Sequence, residues 1–292
     1  MVISNIIGGL GNQMFQYAAG RALALRKGTD HFLDISGFES YGLHQGFELR
    51  NIFSCPARIA SKTDVKSMLG WQASPRIRRM LSQPLLSSLR RKEMIVEPSF
   101  GYWTGIGSVP ANSYLIGYWQ SEKYFEDHAS AIRSEFAFKP PLDGLNQEIV
   151  GRIRLSNAVS LHVRRGDYAK NPKTLAVHGL CPPDYYRAAI RHAADRITSP
   201  RFFVFSDDIE WARENLALDF PCEFIDHNKG KESYKDMQLM SLCRHHIIAN
   251  SSFSWWGAWL NPDPQKIVIA PQKWFANGTA VNDLLPERWL KL

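Results

Sequence analysis

The sequence predicts an α/β protein built from two Rossmann-like halves facing across a cleft. Three observations carry this. Short apolar runs at 158–163, 202–206, 222–226, 246–250 and 267–270 alternate with helical segments near 184–197, 209–217, 232–243 and 253–260. Strands alternating with helices make a parallel, helix-covered sheet. A strand, a glycine turn and a helix also open the chain, and Lys139-Pro140-Pro141-Leu142-Asp143-Gly144 is turn chemistry suited to a linker. The N-terminal half is therefore placed at residues 1–145 and the C-terminal half at 146–292.

In chain order, Val2-Ile3-Ser4-Asn5-Ile6-Ile7 reads as the first strand. Gly8-Gly9-Leu10-Gly11-Asn12 turns it into a helix from about Gln13 to Lys27. Phe15, Ala18, Ala19, Ala22, Leu23 and Leu25 recur there at helical spacing, and Gly28 is the stop. Phe32-Leu33-Asp34 is a second strand, and residues 37–110 read as irregular. Tyr114–Trp119 returns to a strand, followed by a helix through Phe125, Ile132 and Phe136. Beyond the linker the strands and helices named above follow one another without an internal repeat.

Composition bounds the class. At 292 residues, 45% hydrophobic and 22% charged, the chain has the make-up of a water-soluble globular protein. No apolar run approaches the length of a membrane span, and the N-terminus lacks the basic region of a signal peptide. Cys55, Cys181, Cys222 and Cys243 are scattered, which favours free thiols in a reducing cytosol. The sequon Asn277-Gly278-Thr279 carries no weight in that compartment. The net charge of +7 is uneven. Arg76, Arg78, Arg79, Arg90, Arg91 and Lys92 fall in one leucine-containing stretch, either a solvated helical hairpin broken at Pro84 or a surface for anionic lipid. Nucleic acid is not expected, because aromatic residues do not interleave with these cations.

Four segments carry chemistry. His162-Val163-Arg164-Arg165-Gly166-Asp167-Tyr168 follows a buried strand, where open α/β sheets bind ligands. Arginine forks there suit a phosphate or diphosphate, or else a structural carboxylate. As an adhesion tripeptide, Arg165-Gly166-Asp167 would require an exposed loop on a secreted protein. Gly8-Gly9-Leu10-Gly11-Asn12-Gln13 offers backbone N–H groups at a helix start, but lacks the Lys-Ser/Thr of a P-loop. Ser206-Asp207-Asp208 follows another strand, where two carboxylates suit metal binding, ribose binding or capping of the helix containing Trp211; the spacing is not Asp-x-Asp, so no metal is inferred. Asp236 leads into His245-His246-Ile247-Ile248-Ala249-Asn250-Ser251-Ser252-Phe253-Ser254-Trp255-Trp256-Gly257-Ala258-Trp259. Its serines stand at a strand-to-helix turn, its tryptophans belong in a core, and His245 and His246 face opposite ways along a strand. Arg164, Arg165, Asp207, Asp208, Asp236, Ser251 and Ser252 thus converge on one edge of one sheet, as a nucleotide-sugar site requires.

On the glycine turn, the His-Val-Arg-Arg-Gly-Asp-Tyr segment and the Asn-Ser-Ser-Phe-Ser-Trp-Trp-Gly-Ala-Trp segment, the chain resembles the bacterial α-1,2-fucosyltransferases of glycosyltransferase family 11. The motifs span nearly the whole chain in the family's order. The resemblance implies a GT-B fold whose C-terminal half binds the nucleotide sugar, and GDP-β-L-fucose as donor. It also implies inversion at the anomeric carbon, no metal or other cofactor, and the 2-hydroxyl of a terminal β-galactoside as acceptor. That acceptor is an oligosaccharide of surface polysaccharide or O-antigen, free or lipid-linked, reached from the cytoplasm or from the inner face of the membrane. By the same resemblance Arg164 meets the β-phosphate and Arg165 supports it or holds the loop. Gly9, Gly11, Asn250, Ser251, Ser252 and Phe253 line the donor, and Asp207 and Asp208 belong to the nucleotide pocket. His162 and Asp236 lie near the guanosine, and Asn12 faces the reacting groups. Asp34 and Asp167 are the candidates for general base, unless an oxocarbenium-like route needs none. A fucosyltransferase of another linkage or acceptor, or a non-catalytic sugar-nucleotide-binding protein, are the competing readings.

Overall fold

The computed structural model describes residues 1–40, 45–166, 169, 171–216, 218–279 and 283–292. The chain forms two compact units, Met1–Lys139 with Ala280–Pro286, and Pro140–Thr279 with Glu287–Leu292. It passes from the first to the second within the turn-rich 139–144 segment.

In the first unit β1 (Val2–Asn5), β2 (His31–Asp34), β3 (Met94–Val96) and β4 (Ser113–Ile116) form a parallel sheet in the order β2-β1-β4-β3. The helix Leu10–Arg26 packs on β1 and β2. Another cluster joins Ile3, Met94 and Tyr114 to Val65, Met68, Leu69 and Leu81. The segment 37–110, expected to be irregular, is the largest correction. It supplies edge strand β3 and the helices Lys62–Leu69 and Pro75–Leu81. Ser61 and Asp64 close a full capping box on the first of these, Ser61 Oγ accepting from Asp64 N at 3.1 Å and Asp64 Oδ2 from Ser61 N at 2.8 Å. The helix expected through Phe125 to Phe136 is confined to Ala129–Glu135, after two short 3₁₀ turns.

The second unit holds β5 (Asn157–Val163), β6 (Pro200–Ser206), β7 (Cys222–Ile225), β8 (His245–Ile247), β9 (Val268–Ala270) and β10 (Leu290–Lys291). All pairs are parallel, in the order β10-β9-β8-β5-β6-β7. Both faces are covered, which is why the strands read as nearly continuous apolar runs. Val159, Leu161 and Val163 turn to the helices Pro183–Ala194 and Ile209–Asn215. Ala158, Phe203 and Phe205 turn the other way, to Gly144–Arg154 and Tyr234–Leu242. Alternation puts His162 on that second face. Two-residue β10 was not anticipated, being too short to show a period. Trp255, Trp256 and Trp259 are buried as expected, and His246 is a satisfied core residue between Ser160 Oγ (2.9 Å) and Asn261 Nδ2 (3.1 Å). All four cysteines are free.

Strand order reverses between β5 and β8, the two central strands that begin the half-sheets. In doubly wound sheets this point opens a crevice at the carboxyl ends. Strand β5 ends there in His162-Val163-Arg164, and β8 leads there to Asn250-Ser251-Ser252. In the first sheet β1 and β4 stand in the same relation, ahead of Gly8-Gly9 and of Gly117–Gln120.

Candidate functional site

At the carboxyl edge of the second sheet the parallel register sets Val163 beside Ser206, so the next residues, Arg164 and Asp207, are neighbours. Arg164 Nη1 pairs with Asp207 Oδ2 at 2.7 Å, both side chains about a quarter exposed. Asp207 Oδ1 accepts the backbone N–H of Arg165 at 2.8 Å, so one carboxylate fixes both the guanidinium and its loop. A Cβ on Gly166 would stand 2.4 Å from Asp207 Oδ2. Glycine is therefore required for that carboxylate to lie against the loop.

Arg165 holds the loop. Its Nε donates to Asp208 Oδ2 at 3.1 Å and its guanidinium lies 4.1 Å from the Trp211 ring centroid. Asp208 caps the helix Ile209–Asn215, with Oδ1 accepting from Trp211 N at 3.4 Å. Half-buried and anchored in this way, Arg165 does not offer an adhesion tip. Asp167, the tripeptide's third residue and a candidate base, lies outside the described residues.

His162 is buried beneath Arg164, its ring 5.9 Å from that of Phe253. Burial pushes its pKa down to about 4, with Arg164 adding to the fall and Asp207 opposing it. The imidazole is neutral near pH 7, and its Nδ1 is buried without a hydrogen-bond partner among the described residues. Ser251 caps the helix Ser252–Leu260, Oγ accepting from Phe253 N at 3.3 Å. This caps the helix as one of the two serine readings expected, and leaves Ser252, half-buried, in the first turn. Asn250 braces the framework: Nδ2 donates to His178 O (2.9 Å) and Trp274 O (3.1 Å), and Oδ1 accepts from Cys181 Sγ.

Asp236, in the first turn of Tyr234–Leu242, accepts from Asn228 Nδ2 at 2.8 Å. Asn228 and Asn146 exchange two hydrogen bonds of 2.9 Å, and His227 Nε2 adds a third contact to Asn146 Oδ1. Burial pushes the Asp236 carboxyl up to about 7, against the Asn228 bond, which lowers it. The amide frame was missed in the sequence because Asn146 and Asn228 are 82 residues apart. Only the run Asp226-His227-Asn228 at the end of β7 hinted at it.

In the first unit Gly8 has φ +80 and abuts Asn12, so the turn after β1 needs glycine there. Gly9 stands at the N-cap of the helix without a capping side chain, and its carbonyl accepts from Asn12 N and Gln13 N. Gly11 lies buried in the first turn. Gln13 is a staple, donating to Gly8 O and Gly46 O and accepting from Glu48 N. Asn12 Oδ1 accepts from Gln120 Nε2 at 2.7 Å, which joins the ends of β1 and β4 at the reversal. The sequence did not single out Gln120 or Glu97. Glu97 accepts from Tyr118 N (2.7 Å) and Trp119 N (3.0 Å), holding Trp119 at φ +55, and burial pushes its carboxyl up to about 7.

Asp34 is held by structural partners. It is 4% exposed, ion-paired with Arg78 and bonded to the Tyr114 hydroxyl through Oδ2, while Oδ1 accepts from Ser36 N at 2.9 Å. The guanidinium, the phenol and the backbone N–H together hold the carboxylate in place within the fold. Among the described residues no group of three or more His, Cys, Asp or Glu side chains is arranged to hold a metal ion, and no helix is long and apolar enough to cross a membrane.

The profile described as "Glycosyl transferase family 11" matches residues 72–290. The chain is 38% identical to an alpha-1,2-colitosyltransferase of Escherichia coli, over 100% of this chain and 99% of the relative. It is 35% identical to the O-antigen biosynthesis glycosyltransferase WbnK of Escherichia coli, over 99% of both. Among solved structures, the fucosyltransferase NodZ from Bradyrhizobium superposes with a TM-score of 0.51 at 18% identity, over 89% of this chain and 92% of that one. This likeness shows the GT-B-like α/β fold. With the profile and the full-length relatives, it establishes that the chain belongs to glycosyl transferase family 11.

Proposed function

We propose that the protein transfers L-fucose from GDP-β-L-fucose, with inversion, to the 2-hydroxyl of a terminal β-galactoside in an O-antigen or other surface oligosaccharide. The observation that carries this reading is Arg164, presented at the strand-order reversal by Asp207 on a loop that Arg165 locks. The C1–O bond of the donor breaks as the acceptor O2 attacks from the opposite face, and the departing GDP gains negative charge. Arg164 meets that charge as it develops and acts in place of a metal. Ser252 and the helix start behind it lie at the adjoining strand end and support the phosphates. Asp236, on its amide frame, accepts from the guanine edge, while neutral His162 lies beneath the nucleoside. Asn12, fixed by Gln120, belongs to the acceptor side, and Asp167 or Asp34 takes the acceptor proton. The protein works in the cytoplasm, where the sugar nucleotide is made.

The colitosyltransferase relative favours a second reading on the same machinery. Colitose is fucose without its 3-hydroxyl, so one missing hydrogen-bonding group separates the donors. The deciding assay offers GDP-fucose and GDP-colitose separately, with EDTA, to lactose and N-acetyllactosamine, and reads product linkage by NMR. An α-1,2-fucosyl product supports the first reading, and transfer of colitose alone selects the second. Neither transfer nor GDP binding would overturn both.

Two expectations attach to the nucleotide pocket. Gly166→Ala displaces Asp207 and should weaken GDP binding by on the order of tenfold, the loss of a charge-assisted contact. Unchanged affinity by calorimetry would show that Asp207 does not set Arg164. For Asp236 the sign follows from its raised pKa. Guanine needs the ionised carboxylate, so GDP affinity should be level above about pH 7.5 and fall by up to about tenfold per unit below pH 7. Ionisation of GDP's own phosphate is common to wild type and Asp236→Asn, so the difference between their profiles isolates the carboxyl. Identical profiles would remove Asp236 from the guanine edge.

A further inference from the structure

Exposed apolar side chains are concentrated on one part of the first unit. Trp71, Met80, Leu85 and Leu89 are 64%, 51%, 95% and 58% exposed. A single exposed leucine is ordinary, whereas a cluster marks a surface with a partner. The local fold explains the cluster. Helix Pro75–Leu81 turns Leu81 and Ile77 to the core under the sheet and Arg78 to Asp34. At 3.6 residues per turn, Arg76, Arg79 and Met80 are left on the opposite, exposed face. The 3₁₀ turn Pro84–Leu89 sets Leu86 against the same core and leaves Leu85 and Leu89 outside.

These pieces form one surface. The helix contacts both flanking 3₁₀ turns, Gly70–Ala73 and Pro84–Leu89. Buried Gln72 ties Trp71's turn to the far end, donating to Leu89 O at 2.8 Å and accepting from Arg91 N at 3.0 Å. Arg90 closes the end of the helix through the carbonyls of Leu81, Ser82 and Gln83. The apolar side chains are thus held in place before any partner arrives.

Charge selects the partner. From Trp71 to Lys92 the chain carries six cations and no carboxylate. Arg78 and Arg90 are engaged internally and Arg91 pairs with Glu93. Arg76, Arg79 and Lys92 are exposed and make no ion pair among the described residues. A second copy is disfavoured, because a two-fold interface sets the same patch against itself and like charges would meet. An anionic bilayer offers phosphates for the cations and a hydrocarbon boundary for the apolar tips, with tryptophan at the interface.

We propose that the surface carrying Trp71, Arg76, Arg79, Met80, Leu85, Leu89 and Lys92 docks the protein on an anionic phospholipid membrane. This deepens the reading above by naming where a lipid-linked acceptor would be met. It rests on that reading only for the acceptor, since lipid binding needs neither donor nor acceptor.

The test is flotation of the full chain with vesicles of phosphatidylcholine alone, or with roughly a third phosphatidylglycerol, at low and high salt. Wild type should float only with the anionic vesicles and be released by salt. Leu85→Ser/Leu89→Ser should cut the bound fraction at least tenfold, and Arg76→Gln/Arg79→Gln by about fivefold per charge. All variants should keep transfer to a soluble acceptor, which shows them folded and tests the catalytic reading separately. Wild type that fails to float overturns the proposal, as do variants that float like wild type. A dimer in sedimentation that Leu85→Ser/Leu89→Ser dissociates also overturns it, assigning the surface to a second copy.

Discussion

Arg164→Ala should keep its fold and lose turnover by a factor of about 10³, the scale for removing a donor that meets charge developing in the transition state. The Arg164–Asp207 pair is about a quarter exposed on both sides, and such pairs contribute about 1 kcal/mol or less to stability. Melting temperature should therefore barely move while kcat collapses. Arg164→Lys should recover little, because an ammonium cannot span two phosphate oxygens with a planar fork. The Arg165 counterpart separates the two adjacent arginines. Its guanidinium is committed to Asp208 and Trp211, so Arg165→Ala should loosen the loop and cost affinity more than turnover. The measurement is kcat and KM for GDP-fucose beside thermal denaturation. Near-normal turnover in Arg164→Ala would remove this residue from the leaving-group role.

The different roles of these neighbours show what a sequence can and cannot convey. His162-Val163-Arg164 was legible because a buried strand ends abruptly in charge, and chain position alone brings it to a sheet edge. That this edge is the reversal point depends on strand order, and the pairing of β5 with β8 joins residues 86 positions apart. No local period reports such a pairing. The segment 37–110 was illegible for another reason. Strand β3 has three residues, too few to display alternation, and its neighbours in the sheet come from distant parts of the chain. The capping box at Ser61 and Asp64 is visible in the letters and marks the start of the helix Lys62–Leu69. Asn250 carries a structural role that the letters did not report. It stands in a motif that reads as ligand-binding, yet its amide is engaged by the carbonyls of His178 and Trp274.

Asp34 makes the same point with energetic consequences. A carboxylate at a strand end reads as a base, and only a partner 44 residues on changes its meaning. Arg78 and Asp34 expose 9% and 5% of their side chains. Removing one member of such a pair leaves the other charge buried without its counterion, at about 3–5 kcal/mol. Arg78→Met should therefore lower the melting temperature by on the order of 10 °C. The double variant Arg78→Met/Asp34→Asn should be more stable than the sum of the two single losses predicts, because no charge is then left alone. Tyr114→Phe should cost less, since it removes one donor and leaves the ion pair intact. The fold makes this a test of catalysis as well. If Asp34 were the base, Asp34→Asn would fall in kcat even where the protein remains folded, and Arg78→Met would not mimic it. A purely structural pairing instead requires both variants to lose activity in step with folded protein, with kcat per folded molecule preserved. Activity and denaturation measured on the same samples below the transition decide between the two. A selective loss of kcat in Asp34→Asn would assign the base to this residue, and parallel losses leave the proton to Asp167.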